Sequence, residues 1–537
     1  MSSPLGRTLS RRGLLGGAGA TAVLLGTSAL GDPAGATPPQ RHGLPDDPFK
    51  LGVASGDPLP NSVVLWTRLA PDPLAADGSG GMPPRRVPVQ WQVAEDEGFR
   101  RIVKRGTAVA GPELNHSVHP EVWGLRPGRH YFYRFKVGTD ISPVGRTKTA
   151  PSHDAHVSSV SLGVASCALW QHGFYTAYGR MAEDDLDVVL QVGDYIYENG
   201  VPADGGTRQT PVPDYLSPET VTLERYRLQY SLYKSDADLM AAHAAHPWAV
   251  TLDDHEVDND WADDVPQNAA ETPGFLDRRA AAFQAYYENL PLRASALPDG
   301  PDMQLYRRLA YGDLLDINVL DTRQYRDDQA AGGGLAAPNP GSLDPNRTMM
   351  GREQEQWLLD NFERSRVRWQ VLANQAPMAE TDMDDTEAVS VFMDPWDGYD
   401  ANRRRMLDGA RDRGVDNLVV LTGDRHRHHA SDIKADYRDP AAPVLASEFV
   451  CTSVTAEGNG ADMDSYSELS VRANPHIKFA NYRRGYLRCT VTEDLWSTDF
   501  RVLPYVDRPG APASTRATYV VENGRPGVQL ASEGPIV

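Results

Sequence analysis

The sequence predicts an α/β catalytic domain of layered sheets and helices, preceded by a small β-sandwich of immunoglobulin or fibronectin type. Residues 49–150 contain short runs of alternating polar and apolar residues separated by turn residues, which is typical of a β-sandwich. From about residue 157, short apolar runs alternate with segments of helical periodicity, which indicates βα units. Several of those apolar runs end in acidic residues and histidines, so the carboxyl edge of the sheet is where we expect a functional site.

The pattern divides the chain of 537 residues into segments. They are a signal peptide at 1–36, a Pro-rich linker at 37–48, the β-sandwich at 49–150, the catalytic domain at 157–508 and a C-terminal extension at 509–537. The length is sufficient for two domains with substantial cores. The hydrophobic content of 40% is ordinary for a globular protein.

The first segment has the features of an export signal. A twin-arginine string, SRRGLL at 10–15, precedes a weakly hydrophobic stretch, and residues 34–36 supply an A-x-A cleavage site. A membrane anchor is the alternative, but the stretch is rich in glycine and short for a span. We therefore expect recognition by the twin-arginine translocase, cleavage, and a secreted or cell-envelope location without a stable membrane anchor.

The charge balance narrows the classes of partner. Lys and Arg number 53 against 73 Asp and Glu, which gives a formal net charge of −20. This excess of negative charge opposes non-specific binding to nucleic acid or to an anionic membrane, so we expect no nucleic-acid partner. A phosphate substrate stays possible, because bound cations reverse the local field.

Three strings carry the chemistry: VVLQVGDYIYE at 188–198, WAVTLDDHEVDND at 248–260 and NLVVLTGDRHRHHASD at 417–432. Each begins as a buried strand and ends in acidic residues, a histidine or a tyrosine. Convergence of such side chains from separate strands is what a site for two hard metal ions requires. In isolation, Asp194 and Tyr197 equally fit a helix cap and a packed ring. The acidic run at 253–264 lacks the glycine and terminal glutamate of an EF-hand, which excludes that motif.

The order of motifs along the chain resembles that of the alkaline phosphatase D (PhoD) family, which is related to the purple acid phosphatases. The motifs are Cys167, GDYIY, DDHE and GDRH, in this order. The segments FKLGVASGDPLPNSVVLWTRL and DPWDGYDANRRRML resemble the family's N-terminal and catalytic domains. The resemblance implies a metallophosphoesterase sandwich behind the N-terminal β-sandwich. It also implies Fe³⁺ and Ca²⁺ as cofactors.

The resemblance implies roles for particular residues. Cys167, Asp194, Tyr197 and His426 match iron ligands, with Asp194 bridging to a second metal, and the expected ligands of calcium are Asp254, Asn374, Asp397 and Asp424. His255 falls where relatives place a histidine that acts on the phosphate or the leaving group. Oxygen ligands at positions where zinc-using relatives have nitrogen favour calcium.

Other residues have less certain roles. Arg225 and Arg227 offer a bidentate phosphate clamp, although helical arginines are usually solvated. His428 and His429 fit supporting groups, exposed residues or metal ligands. Asn259 and Asp260 fit either additional calcium ligands or turn caps, and Asp253 and Glu256 have no assigned role.

The chain has three cysteines. Export makes a disulfide possible, and Cys451 and Cys489 lie in similar β-rich strings, so these two are the expected pair. Cys167 would then be left over, at the position where relatives carry a metal ligand.

The function implied by the resemblance is hydrolysis of phosphate monoesters or diesters by metal-hydroxide attack, with a small phosphate ester or a phospholipid as substrate. No serine motif supports a covalent phosphoenzyme. A phospholipase D or phosphodiesterase on the same scaffold is the alternative. A non-catalytic metal-binding surface protein is a second class of function, against which the complete ligand set argues.

Overall fold

The computed structural model describes residue 44 and residues 46–537. The predicted signal peptide and most of the predicted linker lie outside these residues. Two large sheets pack face to face, helices cover their outer faces, and a separate five-stranded sheet packs at the N-terminal end. Within the described residues, no helix has both the length and the hydropathy that a membrane crossing requires.

The first strands, in chain order, are β1 Ala54–Leu59, β2 Ser62–Arg68, β3 Val87–Ala94, β4 Ile102–Ala110, β5 Ser117–Val118, β6 Glu121–Trp123, β7 His130–Val137, β8 Asp140–Ile141, β9 Gly145–Lys148, β10 Ser159–Ala165, β11 Val188–Val192 and β12 Pro247–Thr251. They are followed by β13 Arg307–Tyr311, β14 Leu315–Val319, β15 Leu335–Ala336, β16 Trp369–Ala373, β17 Val391–Phe392, β18 Leu418–Thr422, β19 His428–Lys434, β20 Val444–Val450, β21 Ile477–Asn481, β22 Arg484–Thr492, β23 Leu495–Leu503, β24 Ser514–Glu522 and β25 Arg525–Glu533. The α-helices are α1 Thr176–Glu183, α2 Leu223–Lys234, α3 Ala237–Ala245, α4 Phe275–Asn289, α5 Arg352–Arg364, α6 Asp400–Asp412 and α7 Ser465–Ala473.

The first sheet has eleven strands, in the order β25-β24-β23-β22-β10-β11-β12-β1-β2-β5, with β6 also paired to β2. Its central strands β10, β11, β12 and β1 run parallel, and β22 joins β10 antiparallel. The second sheet has seven strands, in the order β13-β14-β16-β18-β20-β19-β21, of which β14, β16, β18 and β20 are parallel. The carboxyl ends of parallel strands meet at one edge of each sheet, where ligands bind in such folds.

The core of the sandwich lies between the two sheets. Leu162 and Leu190 from the first sheet pack with Ile317, Val371 and Val419 from the second. Strands β11, β14, β16 and β18 are buried along their whole length, which agrees with their largely apolar sequences. Helices α1, α2, α3 and α4 cover the outer face of the first sheet, and α5 and α6 cover that of the second. The predicted fold class is confirmed.

The N-terminal β-region is divided between two sheets. Strands β1, β2, β5 and β6 extend the first sheet of the sandwich, whereas β3, β4, β7, β8 and β9 form the five-stranded sheet. The two parts pack on each other through Val63 and Leu65 of β2 and Val89, Tyr133 and Phe135 of the smaller sheet. The sequence between 49 and 150 therefore forms a sandwich that is continuous with the catalytic sheet.

The segment after residue 508 forms two long strands, β24 and β25, which complete one edge of the first sheet. Ala517, Tyr519 and Val521 of β24 are buried in the core between the sheets. The predicted C-terminal extension is thus a structural part of the sandwich.

The expected disulfide between Cys451 and Cys489 is not formed, and all three cysteines are free and buried. Cys451 follows β20 of the second sheet, and its thiol donates a hydrogen bond to the carbonyl oxygen of Val164 at 3.2 Å. Cys489 lies in β22 of the first sheet, with Sγ 3.5 Å from Thr498 Oγ1. The two similar strings belong to facing sheets, so similarity of sequence did not mean pairing.

We expect the denatured, metal-free protein to contain three titratable thiols without prior reduction, since each cysteine is free. Measuring thiols with a chromogenic disulfide under denaturing conditions tests this. Fully reduced protein is the control. A single reactive thiol in the unreduced sample would indicate that the other two cysteines form a disulfide.

Candidate metal centre

Three adjacent parallel strands deliver polar side chains to the same edge of the first sheet. Cys167 follows β10, Asp194 follows β11, and Asp254 follows β12. Cys167 and Asp194 have φ of 60° and 54°, a left-handed conformation that is unfavourable for cysteine in particular. Such backbone strain is concentrated at functional sites, where the surrounding structure holds it in place.

Two glycines allow the strand ends to approach one another. Gly193 has φ of 108°, and a Cβ there would lie 2.4 Å from Cβ of Asp253. A Cβ on Gly423 would lie 2.1 Å from Oγ of Ser166, on the facing sheet. The glycine in each G-D pair is therefore required by close packing beneath the site.

The first cluster joins the two sheets. Ligand atoms of Cys167, Asp194 and His426 all lie within 4.8 Å of one another. The hydroxyl of Tyr197 donates to Asp194 Oδ2 at 2.9 Å and lies 3.1 Å from His426 Nε2. Thiol, carboxyl, phenol and imidazole groups thus converge on one point.

The second cluster shares a residue with the first. Ligand atoms of Asp194, Asp254 and His255 also lie within 4.8 Å of one another. Asp194 Oδ1 is buried and has no hydrogen-bond partner in the described chain. A buried carboxylate oxygen without a partner is costly, and Asp194 is the residue that the two clusters share.

His255 is held in one orientation. Its Nδ1 lies 2.7 Å from Glu198 Oε2, and its ring lies against that of Tyr197, with 4.2 Å between ring centroids. Burial lowers the pKa of His255, but the carboxylates of Glu198, Asp254 and Asp194 raise it by more than burial lowers it. The net shift of the pKa is therefore upward.

The site contains many buried carboxylates and too few cationic side chains to neutralise them. Burial raises the pKa of Asp194, Asp253 and Asp424, and the neighbouring carboxylates raise it further. Burial likewise raises the pKa of Asp260 to about 7. Hard cations would relieve this repulsion and hold the groups ionised, so the donor set fits metal ions.

Comparison with known proteins identifies the family. The model of the PhoD-like phosphatase family matches residues 162–500, and that of its N-terminal domain matches residues 35–151. The chain belongs to the PhoD-like phosphatase family. It is 50% identical to alkaline phosphatase D of Bacillus subtilis (strain 168) over 489 residues, which is 91% of this chain and 83% of that protein. The solved structure of PhoD matches with a TM-score of 0.88 and 50% identity, covering 92% of this chain and 94% of that one.

The resemblance read from the sequence motifs is therefore confirmed, and this PhoD-like chain is a phosphoric ester hydrolase. Its motifs GDYIY, DDHE and GDRH all lie at the edge where the two clusters form. Membership of the family counts against a purely metal-binding surface protein.

Two expected calcium ligands of the PhoD-like site already have protein partners. Asn374 donates to the carbonyl oxygen of Ala376 at 2.7 Å and accepts from the indole of Trp396 at 3.3 Å. Asp397 accepts from Arg403 at 2.6 Å and from the amide of Thr381 at 3.0 Å. Asp397 also lines a separate cavity of about 290 Å³ beside α6. The structure does not bring it into either cluster.

The two arginines expected to clamp phosphate also have protein partners. Arg227 makes a bidentate ion pair with Glu288, with N···O distances of 2.8 and 2.6 Å. Arg225 donates to the carbonyl of Leu216 and to Gln229, whose amide donates to the carbonyl of Tyr197 at 2.6 Å. Arg225 therefore supports the fold around Tyr197, and Arg227 joins α2 to α4.

His428 and His429 lie in β19 and are buried. Nδ1 of His428 accepts from the amide of Thr452 at 3.2 Å, and burial lowers the pKa of each histidine to about 3. Neither belongs to a cluster of potential metal ligands in the described chain.

Sequence reasoning gave no definite role to two residues that organise the site. Glu256 accepts from the amides of Asp194 and Asp253 at 3.2 and 2.9 Å, so it ties two ligand loops together. Arg323 is fully buried and pairs with Asp253 at 2.6 Å and with Asp394 at 3.0 Å. The fourth residue of DDHE was a visible signal for Glu256, whereas nothing in DTRQ marked Arg323.

We expect Glu256→Gln to loosen both loops, because an amide has one acceptor oxygen where the carboxylate has two, and its NH₂ group would face backbone donors. The free energy of unfolding should fall by about 1–3 kcal/mol. Metal content and turnover should fall with it. Thermal unfolding, elemental analysis and turnover measure the three effects.

The control is Asp264→Asn, an exposed carboxylate in the same acidic run. It should leave all three quantities unchanged. Retention of metal and turnover in Glu256→Gln would show that Glu256 does not hold the loops in place.

Proposed function

We propose that this hydrolase is an exported metal-dependent phosphoesterase of alkaline phosphatase D type, with Fe³⁺ in the first cluster and Ca²⁺ in the second. The observation that carries the proposal is the buried, unpartnered oxygen of Asp194, a residue common to both clusters. A carboxylate buried without a partner is rare unless a cation completes it. Export is inferred from the twin-arginine string alone.

The donors of the first cluster suit Fe³⁺. A phenolate from Tyr197 and a carboxylate from Asp194 are hard anionic ligands, and Cys167 and His426 complete the set. Burial raises the pKa of the Cys167 thiol and of the Tyr197 phenol, and Asp194 raises both further. These groups would ionise only with a strong cation beside them.

The donors of the second cluster suit Ca²⁺. Asp194 and Asp254 supply carboxylate oxygens, and Asp424 adds a third carboxylate within electrostatic range of Asp254. Calcium prefers six to eight oxygen ligands in a flexible arrangement, which several neighbouring carboxylates can provide.

The residues around the metals account for the chemistry. When bound, the metals would supply an activated water and neutralise charge on the phosphoryl oxygens. Glu198 holds Nδ1 of His255, which leaves Nε2 free to act on the phosphoryl group or to protonate the leaving oxygen. Arg323 pairs with Asp253 and Asp394 and holds both carboxyl groups in position beneath the site.

The class of ester is tested directly with the purified, metal-loaded protein. A phosphate monoester, a phosphate diester and a phosphatidylcholine are offered separately, and release of each alcohol is measured. We expect the monoester or the diester to be hydrolysed. Hydrolysis of the phosphatidylcholine alone would replace this proposal with a phospholipase.

We expect Tyr197→Phe to abolish a visible charge-transfer band of the iron-loaded protein, because the substitution removes the phenolate and keeps the ring that packs on His255. Absorption spectra and iron analysis of both proteins measure this effect.

The matched control is Tyr195→Phe, two positions away. The Tyr195 hydroxyl lies 2.8 Å from Nε2 of His243, away from the ligand clusters. This variant should keep the band. A fully active native protein that contains zinc and no iron would contradict the iron assignment.

We expect chelation of calcium to abolish turnover before the fold is lost, because the second cluster is held by the sandwich and not by the ion alone. Titrating a calcium chelator while following turnover and circular dichroism tests this order. Adding calcium back should restore the activity. Undiminished turnover in protein verified to be free of calcium would rule calcium out.

A further inference from the structure

Two arginines at the end of β18 differ sharply in their surroundings. Arg427 donates to both oxygens of Asp464 and lies over the rings of Tyr466 and Tyr482, at 4.5 and 4.3 Å from their centroids. The side chain of Arg425, two residues earlier, donates no hydrogen bond within the described chain, and its Nε is buried without a hydrogen-bond partner. The first arginine is committed to the fold, whereas the second has unused donors.

Arg425 is nevertheless held in place. Its side chain is only 17% exposed, and its guanidinium carbon lies 4.6 Å from the centroid of Phe392 in β17. Nε is 3.6 Å from Oδ2 of Asp424, beyond hydrogen-bond distance. Asp424 is thus an ion-pair partner without a hydrogen bond, and a fixed guanidinium whose donors make no hydrogen bond is pre-organised to bind an anion.

A second unpaired donor belongs to the same surroundings. The Tyr466 hydroxyl is buried and has no partner in the described chain. Arg427, which lies over the ring of Tyr466, also donates through Nη1 to the carbonyl oxygen of Arg425 at 3.0 Å, so one side chain contacts both residues. The ring of Tyr466 is itself fixed by Arg427, so both donors have defined positions.

We infer that Arg425, assisted by the hydroxyl of Tyr466, binds the non-bridging oxygens of the phosphoryl group that is hydrolysed. Arg425 lies between Asp424 and His426 in the chain, and His426 belongs to the first cluster, so a phosphoryl group bound at that cluster would lie near Arg425. The planar guanidinium matches phosphate oxygens in a bidentate manner. The inference rests on the proposed metal site and gives Arg425 the clamp role expected for Arg225 and Arg227.

The test compares Arg425→Gln, Arg425→Lys and Tyr466→Phe with the native protein. KM and kcat for a monoester, the affinity for inorganic phosphate by calorimetry, and metal content are measured. Arg425→Gln should raise KM and lower the affinity for phosphate, each by about tenfold or more, while the metal content stays unchanged. Arg425→Lys should recover part of the loss, because it keeps the charge without the fork. Tyr466→Phe should have a smaller effect of the same kind.

The control is Arg411→Gln, which removes an arginine that is 54% exposed on α6 and paired with Asp408. It should match the native protein in every measurement. Unchanged phosphate affinity in Arg425→Gln would overturn the inference. This holds even if KM rises, because Arg425 would then contact the leaving group and not the phosphoryl oxygens. Loss of affinity only in step with loss of metal would also overturn it. A native protein without turnover would contradict the proposed function instead, and calorimetry with phosphate would still test Arg425.

Discussion

The arrangement of the site depends on electrostatic repulsion among carboxylates placed at one edge of the sandwich. The group consists of Asp194, Asp253, Asp254, Asp260, Asp394 and Asp424. Arg323 neutralises part of this charge through Asp253 and Asp394, and together with Arg326 it holds the pKa of Asp394 well below its usual value despite burial. Asp194 has no such partner for one of its oxygens. Ionised carboxylates in this number are stable in a buried site only with cations among them.

The scaffold explains why the ligands stay close despite this repulsion. They follow strands that are hydrogen-bonded to one another on both sides and packed against a second sheet. Strands β1 and β2 continue the first sheet beyond β12, and β22 to β25 continue it beyond β10. The strands that carry Cys167, Asp194 and Asp254 therefore lie in the middle of a wide sheet, where the backbone is most strongly held.

Much of this was predictable from the sequence, because buried parallel strands and the polar residues that end them leave a local pattern. GDYIY, DDHE and GDRH located Asp194, Tyr197, Asp254, His255 and His426 on that basis. Long-range choices were not predictable in this way. The partner of a charged residue depends on which segments fold against it, so Arg227 pairing with Glu288 and Asp397 pairing with Arg403 could not be read from either segment.

Sheet membership was hidden for the same reason. Cys451 and Cys489 lie in similar strings, yet their strands belong to facing sheets, and strand order depends on contacts across hundreds of residues. The C-terminal segment contains Pro and Gly before residue 514, which obscured the two strands that follow. Arg425 was passed over because an arginine within a motif gives no sign of whether its donors are used.

The most direct test of the metal centre is a crystal structure of the native protein with anomalous diffraction recorded on both sides of the iron absorption edge. The account predicts an iron peak bonded to Cys167, Asp194, Tyr197 and His426, with a second, non-iron metal on the other oxygen of Asp194. The metal assignment would be contradicted if the anomalous map showed no iron peak between these four side chains. It would also be contradicted if Asp194 contacted only one metal.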